Sequence, residues 1–324
     1  MSPPTLLDVA RSRPVLADGA MGTQLQEAGL EAGTCGELWN LERPERVGAI
    51  HRAYLAAGAE VILTNTFGGS RLALARHGLG GRAAALNRAG AEVAVDAGEA
   101  ASSRAAAGAP DRPAAGKHAW VLGDIGPFGG LLAPLGETDA AKVEAAFEEQ
   151  ATALLEGGVD GILVETMTAL EELHCALRAA QRAGAQLVVA SVAFDATRVG
   201  FRTMMGETPE QAVAAMQEEG ADVVGANCGS GLNMVDYTEL ARRYRALVPD
   251  GIVWVKANAG TPRLELADGQ PAASGSSHRV VYDGTPEAMA AGVNALVDAG
   301  ASVVGGCCGT TPAHIRAFAR ALGR

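Results

Sequence analysis

The chain has 324 residues, 48% of them hydrophobic, which supplies a large core and excludes global disorder. A net charge of −11, with no block of Lys and Arg on one segment, argues against a polyanion-binding surface, so no nucleic-acid partner is expected. Residues 1–13 hold no apolar run of signal-peptide length and no stretch reaches 18 uncharged apolar residues; the expectation is a cytoplasmic protein without membrane contact.

In chain order, the first strand-like run is PVLADGA at 14–20. A repeated unit then appears: a small-residue helix end, a Gly, and a short apolar run. It reads AGAEVILTNTF at 57–67, GGVDGILVETM at 157–167, AGAQLVVASVAF at 183–194, EGADVVGANCG at 219–229 and AGASVVGGCCG at 299–309. HAWVLGDIGP (118–127) and IVWVKANAG (252–260) read as strands without the lead-in. The Gly supplies the left-handed residue that stops a helix. The nearly continuous Val, Ile and Leu that follow suit parallel strands covered on both faces. Helical spacing runs through 82–104, 140–156, 170–182, 209–219, 235–247, 286–298 and 312–322, and three of these open with Thr-Pro. Eight strands alternating with helices predict a single-domain (β/α)8 TIM barrel, with a doubly wound open sheet as the rival. Residues 102–117 are Ala/Gly/Pro-rich and precede a strand, which reads as a mobile bottom-face loop without function. Residues 261–283 follow the seventh strand and read as a top-face lid or donor-binding loop.

Register carries the argument toward chemistry. Seven residues on from each helix-ending Gly lie Asn65, Glu165, Ser191, Asn227 and Cys307, each polar or a thiol at the end of an apolar strand. Active sites in this fold lie at the C-terminal strand ends. Strands also become polar simply by leaving the core, which accounts for Asn65 and Ser191 but less well for a Glu and two Cys-bearing ends.

Five cysteines are too few for a disulfide framework. Cys307 and Cys308 are adjacent in GGCCGTTP, where Gly305, Gly306 and Gly309 let the chain turn out of the sheet. Cys228, in GANCGSG, ends the sixth strand at the same height. Three thiols from two strand ends form the three-ligand, open-position pattern of a catalytic Zn²⁺. The alternatives are a vicinal disulfide or packed inert thiols; Cys175, in a helix, reads as a small buried apolar residue, and Cys35, in the loop after the first strand, is given no part in the metal site. Zinc with three thiolates suits holding a substrate thiol as a nucleophilic thiolate, so the chemistry implied is alkyl transfer to sulfur. Asp18 and Glu165 can hold an α-ammonium group, and backbone N–H groups of the 19–22 turn, Gly19 and Ala20 among them, a carboxylate. For Asp18 the competing role is a turn or helix cap.

These residues resemble the zinc-dependent homocysteine S-methyltransferases, which include betaine–homocysteine methyltransferase and the homocysteine-binding module of cobalamin-dependent methionine synthase. The resemblance rests on DGAMGTQLQ (18–26), AIHRAYLAAGAEVILTNTFGGS (49–70), GDIGPFG (123–129), ILVETM (162–167), GANCGSG (225–231), KANAGTP (256–262), YDGTPEAM (282–289) and GGCCGTTPAHI (305–315). It implies one homocysteine-binding domain over 1–324. Zinc would be held by Cys228, Cys307 and Cys308, L-homocysteine by Asp18 and Glu165, with Asn227 as a further substrate or supporting contact. Family donors are betaine, S-methylmethionine and a methylated corrinoid. Betaine enzymes carry aromatics after the strand-two TF motif and after the strand-four Glu, where this chain has Gly68 and Thr166, although Trp39 in GELWN resembles a betaine-site tryptophan. The ending GGCCGTTPAHI is most similar to the methionine-synthase module, which implies a methylcorrinoid donor delivered by a separate corrinoid protein. Two further readings compete: methyl transfer to another thiol, and a zinc- or redox-responsive barrel that is not an enzyme.

Overall fold

A computed structural model describes residues 4–31, 33–106, 119–266 and 278–324. Eight strands form one parallel sheet: β1 (Val15–Leu16), β2 (Val61–Leu63), β3 (Trp120–Ile125), β4 (Gly161–Met167), β5 (Val188–Val192), β6 (Val223–Asn227), β7 (Ile252–Ala257) and β8 (Val303–Gly306). Each lies beside its neighbours in sequence, and β1 also pairs with β8. The remaining seam closes through a parallel bridge between Ala17 and Val61. There the Asp18 N–H donates to Val61 O at 2.9 Å and the Glu60 N–H to Leu16 O at 2.7 Å. A closed ring of eight is the expected TIM barrel and removes the open-sheet rival.

The five repeat glycines end their helices as anticipated. Gly58, Gly158, Gly184, Gly220 and Gly300 have φ of 108°, 91°, 93°, 67° and 114°, a region that costs other residues a Cβ clash. The observed helices Ala140–Glu156, Leu170–Arg182 and Pro286–Asp298 match the expected spans. Thr208 and Thr285 cap their helices, accepting hydrogen bonds from the Gln211 and Ala288 N–H groups, with Pro at the first helical position.

Alternation along the strands sorts the core into two layers. Val61, Leu63, Trp120, Leu122, Leu163, Val189, Trp254 and Val303 fill the barrel interior. Their neighbours, such as Ile62, Val121, Ile162, Val188 and Val304, pack outward against the helices. Leu6 and Ala10 of the helix Leu6–Ser12 join the interior cluster and plug its N-terminal end.

Three connections differ from expectation. The helix after β2 is Ala83–Ala106, so residues 102–106 are helical rather than loop; the rest of the anticipated 102–117 loop lies outside the described residues. Ser102 Oγ donates to the Gly98 carbonyl, the back-bonding that lets Ser sit inside a helix. Within 261–283, Pro262–Leu266 pairs antiparallel with His278–Tyr282, and the intervening residues lie outside the description. A second, unanticipated hairpin joins Asp195–Thr197 to Gly200–Arg202 beyond β5.

Candidate active site

The apolar interior stops abruptly at one layer. One alternation above Leu63, Leu122, Leu163, Val189 and Trp254, the inward positions become Asn65, Asp124, Glu165, Ser191 and Lys256. On β6 and β8 the same step gives Asn227 and Cys307. The seven-residue count from the repeat glycines had reached five of these. Asp124 and Lys256 were missed because β3 and β7 lack the Gly from which to count. The signal that finds them is parity: each stands two residues beyond a large inward apolar side chain.

An ion pair anchors this layer. Lys256 Nζ lies 2.7 Å from Asp18 Oδ1, with the side chains 3% and 2% exposed. Asp18 Oδ2 accepts the Leu63 N–H at 2.8 Å, so both of its oxygens are engaged. Burial works against the Lys256 ammonium, but Asp18 and Glu165 outweigh it and hold the lysine above its ordinary range. Glu165 is raised by burial, with Lys256 opposing. Asp124 is pushed well above the usual carboxylate range by burial and then by the charge of Glu165. Three buried carboxylates thus share one ammonium.

Asn227 locks Glu165 in place. Its Nδ2 donates to Glu165 Oε2 at 3.0 Å and to Thr166 Oγ1 at 2.7 Å; its Oδ1 accepts from the Thr166 N–H at 3.0 Å and Ser191 Oγ at 2.6 Å. Thr166 and Cys228 are the two described non-glycine residues with positive φ, at 59° and 55°. Backbone strain of this kind persists only where surroundings impose it, and here it lies at the ends of β4 and β6, which flank β5.

The three expected thiols do converge. The Sγ atoms of Cys228, Cys307 and Cys308 lie within 4.8 Å of one another, with Cys228 to Cys308 at 3.8 Å. The turn that allows this is pinned by the Cys307 N–H donating to Ala257 O (2.8 Å) and the Ala259 N–H to Cys308 O (2.9 Å). Tyr237 Oη donates to the Cys228 carbonyl at 2.6 Å. Hydrogen bonding to Cys228, then burial, holds Cys307 well above the ordinary thiol range. Ionising such a crowd is costly, and a divalent cation at its centre would offset that cost. Asn258 adds a second sign of fit: its Nδ2 is 3.8 Å from Cys228 Sγ, and its buried Oδ1 has no partner. Cys35 and Cys175 lie apart from the cluster; both are buried, as expected for Cys175 in its helix.

A cavity of about 480 Å³ opens over this layer, within the ~300–1,000 Å³ usual for small-molecule sites. Its wall includes the three thiols, Asp18, Gly19, Ala20, Glu165, Asp124 and Lys256. Asn227 is not on the wall and reaches the cavity through Glu165 and Cys307. In the 19–22 turn, the Ala20 N–H is already taken by Thr310 Oγ1 at 3.1 Å. Trp39 does not line the cavity; its ring packs under the Arg46 guanidinium at 5.3 Å.

With thiol cluster and carboxylates in place, comparison with known proteins becomes informative. A profile described as homocysteine S-methyltransferase matches residues 15–322. The chain belongs to that family. It is 37% identical over 331 residues to a methionine synthase of Mycobacterium tuberculosis (strain ATCC 25618 / H37Rv) and 34% identical over 333 residues to that of Mycobacterium leprae (strain TN). Each match covers 98% of this chain but 25% of the relative, so the chain spans about a quarter of their length. Among solved structures, the homocysteine methyltransferase MmuM of Escherichia coli in its metallated form superposes with a TM-score of 0.70 at 22% identity, covering 94% of this chain and 95% of that one. Its oxidised form gives 0.69 at 24%, covering 95% of each chain. These two matches place the fold.

Proposed function

We propose that the protein transfers a methyl group to the thiol of L-homocysteine, giving L-methionine, with Zn²⁺ held by Cys228, Cys307 and Cys308. The observation that carries this reading is the convergence of three thiols from two strand ends, on one cavity wall with buried carboxylates. Zinc, when bound there, supplies the charge that keeps a substrate sulfur as thiolate near neutral pH. The chain's own residues do the rest. The acidic layer that includes Asp18 and Glu165 attracts the α-ammonium, and the N–H groups left free in the 19–22 turn face its carboxylate. These contacts point the thiol end toward the cysteines and leave the open cavity mouth for the donor. The substrate sulfur then attacks the donor methyl in line; the S–CH₃ bond forms as the methyl–donor bond breaks, and the thiol proton leaves to solvent. Family membership supports this enzymatic reading over a redox-responsive barrel.

For the donor, the reading is a methylcorrinoid carried on a separate corrinoid protein or module. Phe67 is the one aromatic residue on the described cavity wall, which does not make the aromatic cage a quaternary ammonium such as betaine requires. The mycobacterial relatives are named methionine synthases, which supports methionine as the product. The barrel and its family match run through nearly the whole sequence, which supports reading 1–324 as one homocysteine-binding domain. Among the described residues no helix is long and apolar enough to cross a membrane, and we place the reaction in the cytoplasm.

The deciding experiment assays methionine formation by zinc-loaded protein at fixed homocysteine, with methylcobalamin, betaine and S-methylmethionine in turn. Methionine from methylcobalamin is the expected result; none from any donor overturns the reading. In parallel, Cys307→Ala should lose both metal and turnover while keeping the far-ultraviolet spectrum of the barrel. Full zinc stoichiometry in that variant would remove Cys307 from the ligand set.

A further inference from the structure

The cavity holds a carboxylate that feels the charge of Lys256 but has no hydrogen bond to the thiol cluster or to the Asp18–Lys256 pair. Asp124 ends the inward row of β3 and is 5% exposed. Its backbone is gripped on both sides: the Asp124 N–H donates to Thr64 Oγ1 at 2.9 Å, and Thr66 Oγ1 donates to the Asp124 carbonyl at 2.8 Å. The two threonine hydroxyls are also bonded to each other at 2.5 Å, so neither has a proton left for the carboxylate. Gln150 Nε2, at 3.4 Å, likewise goes to the Asp124 carbonyl. The side chain lines the cavity, yet its Oδ1 is buried without a hydrogen-bond partner. An unpaired buried acceptor typically costs about 1–3 kcal/mol, more when charged. The fold places that acceptor rigidly and supplies no donor for it.

The neighbours narrow down what would satisfy it. Asp124 pairs in register with Leu163, so Glu165, two residues further along β4, rises on the same inward face. Glu165 Oε2 is held by Asn227. Asp18 differs, since Lys256 and the Leu63 N–H already occupy its two oxygens. The acceptors with capacity to spare are therefore Asp124 and Glu165, adjacent and both acidic, and a cation with several N–H donors fits between them. We propose that Asp124, together with Glu165, receives the α-ammonium group of the amino-acid substrate, while Asp18 serves as the fixed counter-charge of Lys256. This assignment rests on the homocysteine reading and departs from the expectation that Asp18 and Glu165 form the ammonium site. It makes Asp124 a specificity-determining residue. A thiol acid without the amino group would leave the buried Asp124 Oδ1 unpaired, and sites of that kind reject the lacking analogue strongly.

The test is calorimetric binding of L-homocysteine and of 4-mercaptobutanoate, its des-amino counterpart, to zinc-loaded wild type, Asp124→Asn and Asp124→Ser. Wild type should bind homocysteine much the tighter of the two. Both variants should weaken homocysteine binding about tenfold to a hundredfold, the worth of a charge-assisted hydrogen bond, and leave 4-mercaptobutanoate unchanged. Zinc stoichiometry and the thermal midpoint report whether each variant is folded. Equal affinity of wild type for the two ligands overturns the assignment without any variant. So does unchanged homocysteine affinity in a folded variant, or an equal loss for both ligands, which a merely structural role would produce. If wild type binds neither ligand, the homocysteine reading itself falls and this assignment falls with it.

Discussion

Asn227 shows how much of the site depends on one uncharged side chain. Its carboxamide satisfies Glu165, Thr166 and Ser191 together from a position that is 1% exposed. Asn227→Ala should cost about 2–3 kcal/mol, because several buried groups lose partners at once, and should raise KM for homocysteine while leaving zinc bound. Urea unfolding with a metal assay checks this; a fully stable variant with unchanged KM would sink it. The position was legible in the sequence, since the step from Gly220 lands on it, but its place behind the wall was not, because periodicity fixes a face and not a depth. Other buried groups act on stability alone. His51 is fully buried with neither ring nitrogen partnered, and burial, then Arg52, lowers its pKa from 6.5 to about 4. The unfolded chain therefore binds the proton first, so this contribution is complete above pH 6.5 and is lost as pH falls toward 4. Between about pH 7 and about pH 5 the wild type should lose roughly 2 kcal/mol more than His51→Leu. Glu172 works in the opposite sense: burial raises it from 4.5 to about 7, so its cost to the fold grows as pH rises through that window. Glu172→Gln should stabilise at about pH 8 and not at about pH 4. Parallel pH–stability curves for variant and wild type would refute either claim.

The elements were the most readable part of the chain, for a physical reason. Each repeat couples a helix-stopping Gly to a strand buried on both faces, so local chemistry and long-range packing agree. The hairpins Asp195–Thr197/Gly200–Arg202 and Pro262–Leu266/His278–Tyr282 were not legible, because strands of three and five residues are too short for alternation to stand out. Nor was the weakest seam visible. β1 has two residues, and it meets β2 through a single bridge. Glu60 reinforces this seam from below: Arg13 holds both of its oxygens, at 2.7 and 3.0 Å, the Leu16 N–H donates to Oε2 at 3.3 Å, and Arg324 bonds to Oε2 as well. Its side chain is 3% exposed while those of Arg13 and Arg324 are 29% and 11% exposed, so Glu60→Ala would remove a carboxylate that two partly buried guanidinium groups share and should cost about 1–3 kcal/mol. Hydrogen exchange should rise first at the Leu16 and Asp18 amides along the β1–β2 seam. Exchange rising uniformly around the ring would show that the barrel opens elsewhere.

At the scale of the whole molecule the surface is unevenly apolar. Ten large hydrophobic side chains are exposed among the described residues, and nine lie in the connections that run from a strand's C-terminal end to the first turn of an outer helix, Leu41 in the short helix Trp39–Glu42 of the first of them. Leu247, at a helix end on the opposite face, is the exception. Leu135 and Met204 are 65% and 63% exposed, and with Leu131 and Met205 they line a shallow depression beside the cavity mouth. Under the proposed corrinoid reading, apolar surface of this kind would meet the protein that carries the donor. A donor carried on a protein would have to press against this rim to bring its methyl group to the substrate sulfur. A diffusing donor would not. Leu135→Glu with Met204→Glu should therefore lower kcat/KM for protein-borne methylcorrinoid at least tenfold, since two charges would have to be desolvated on docking. The same double variant should use free methylcobalamin, and bind homocysteine, as wild type does. Equal loss with both forms of the donor would mean that the rim shapes the cavity rather than receives a partner. No loss with either would mean that the methyl group reaches this barrel without protein contact at these residues.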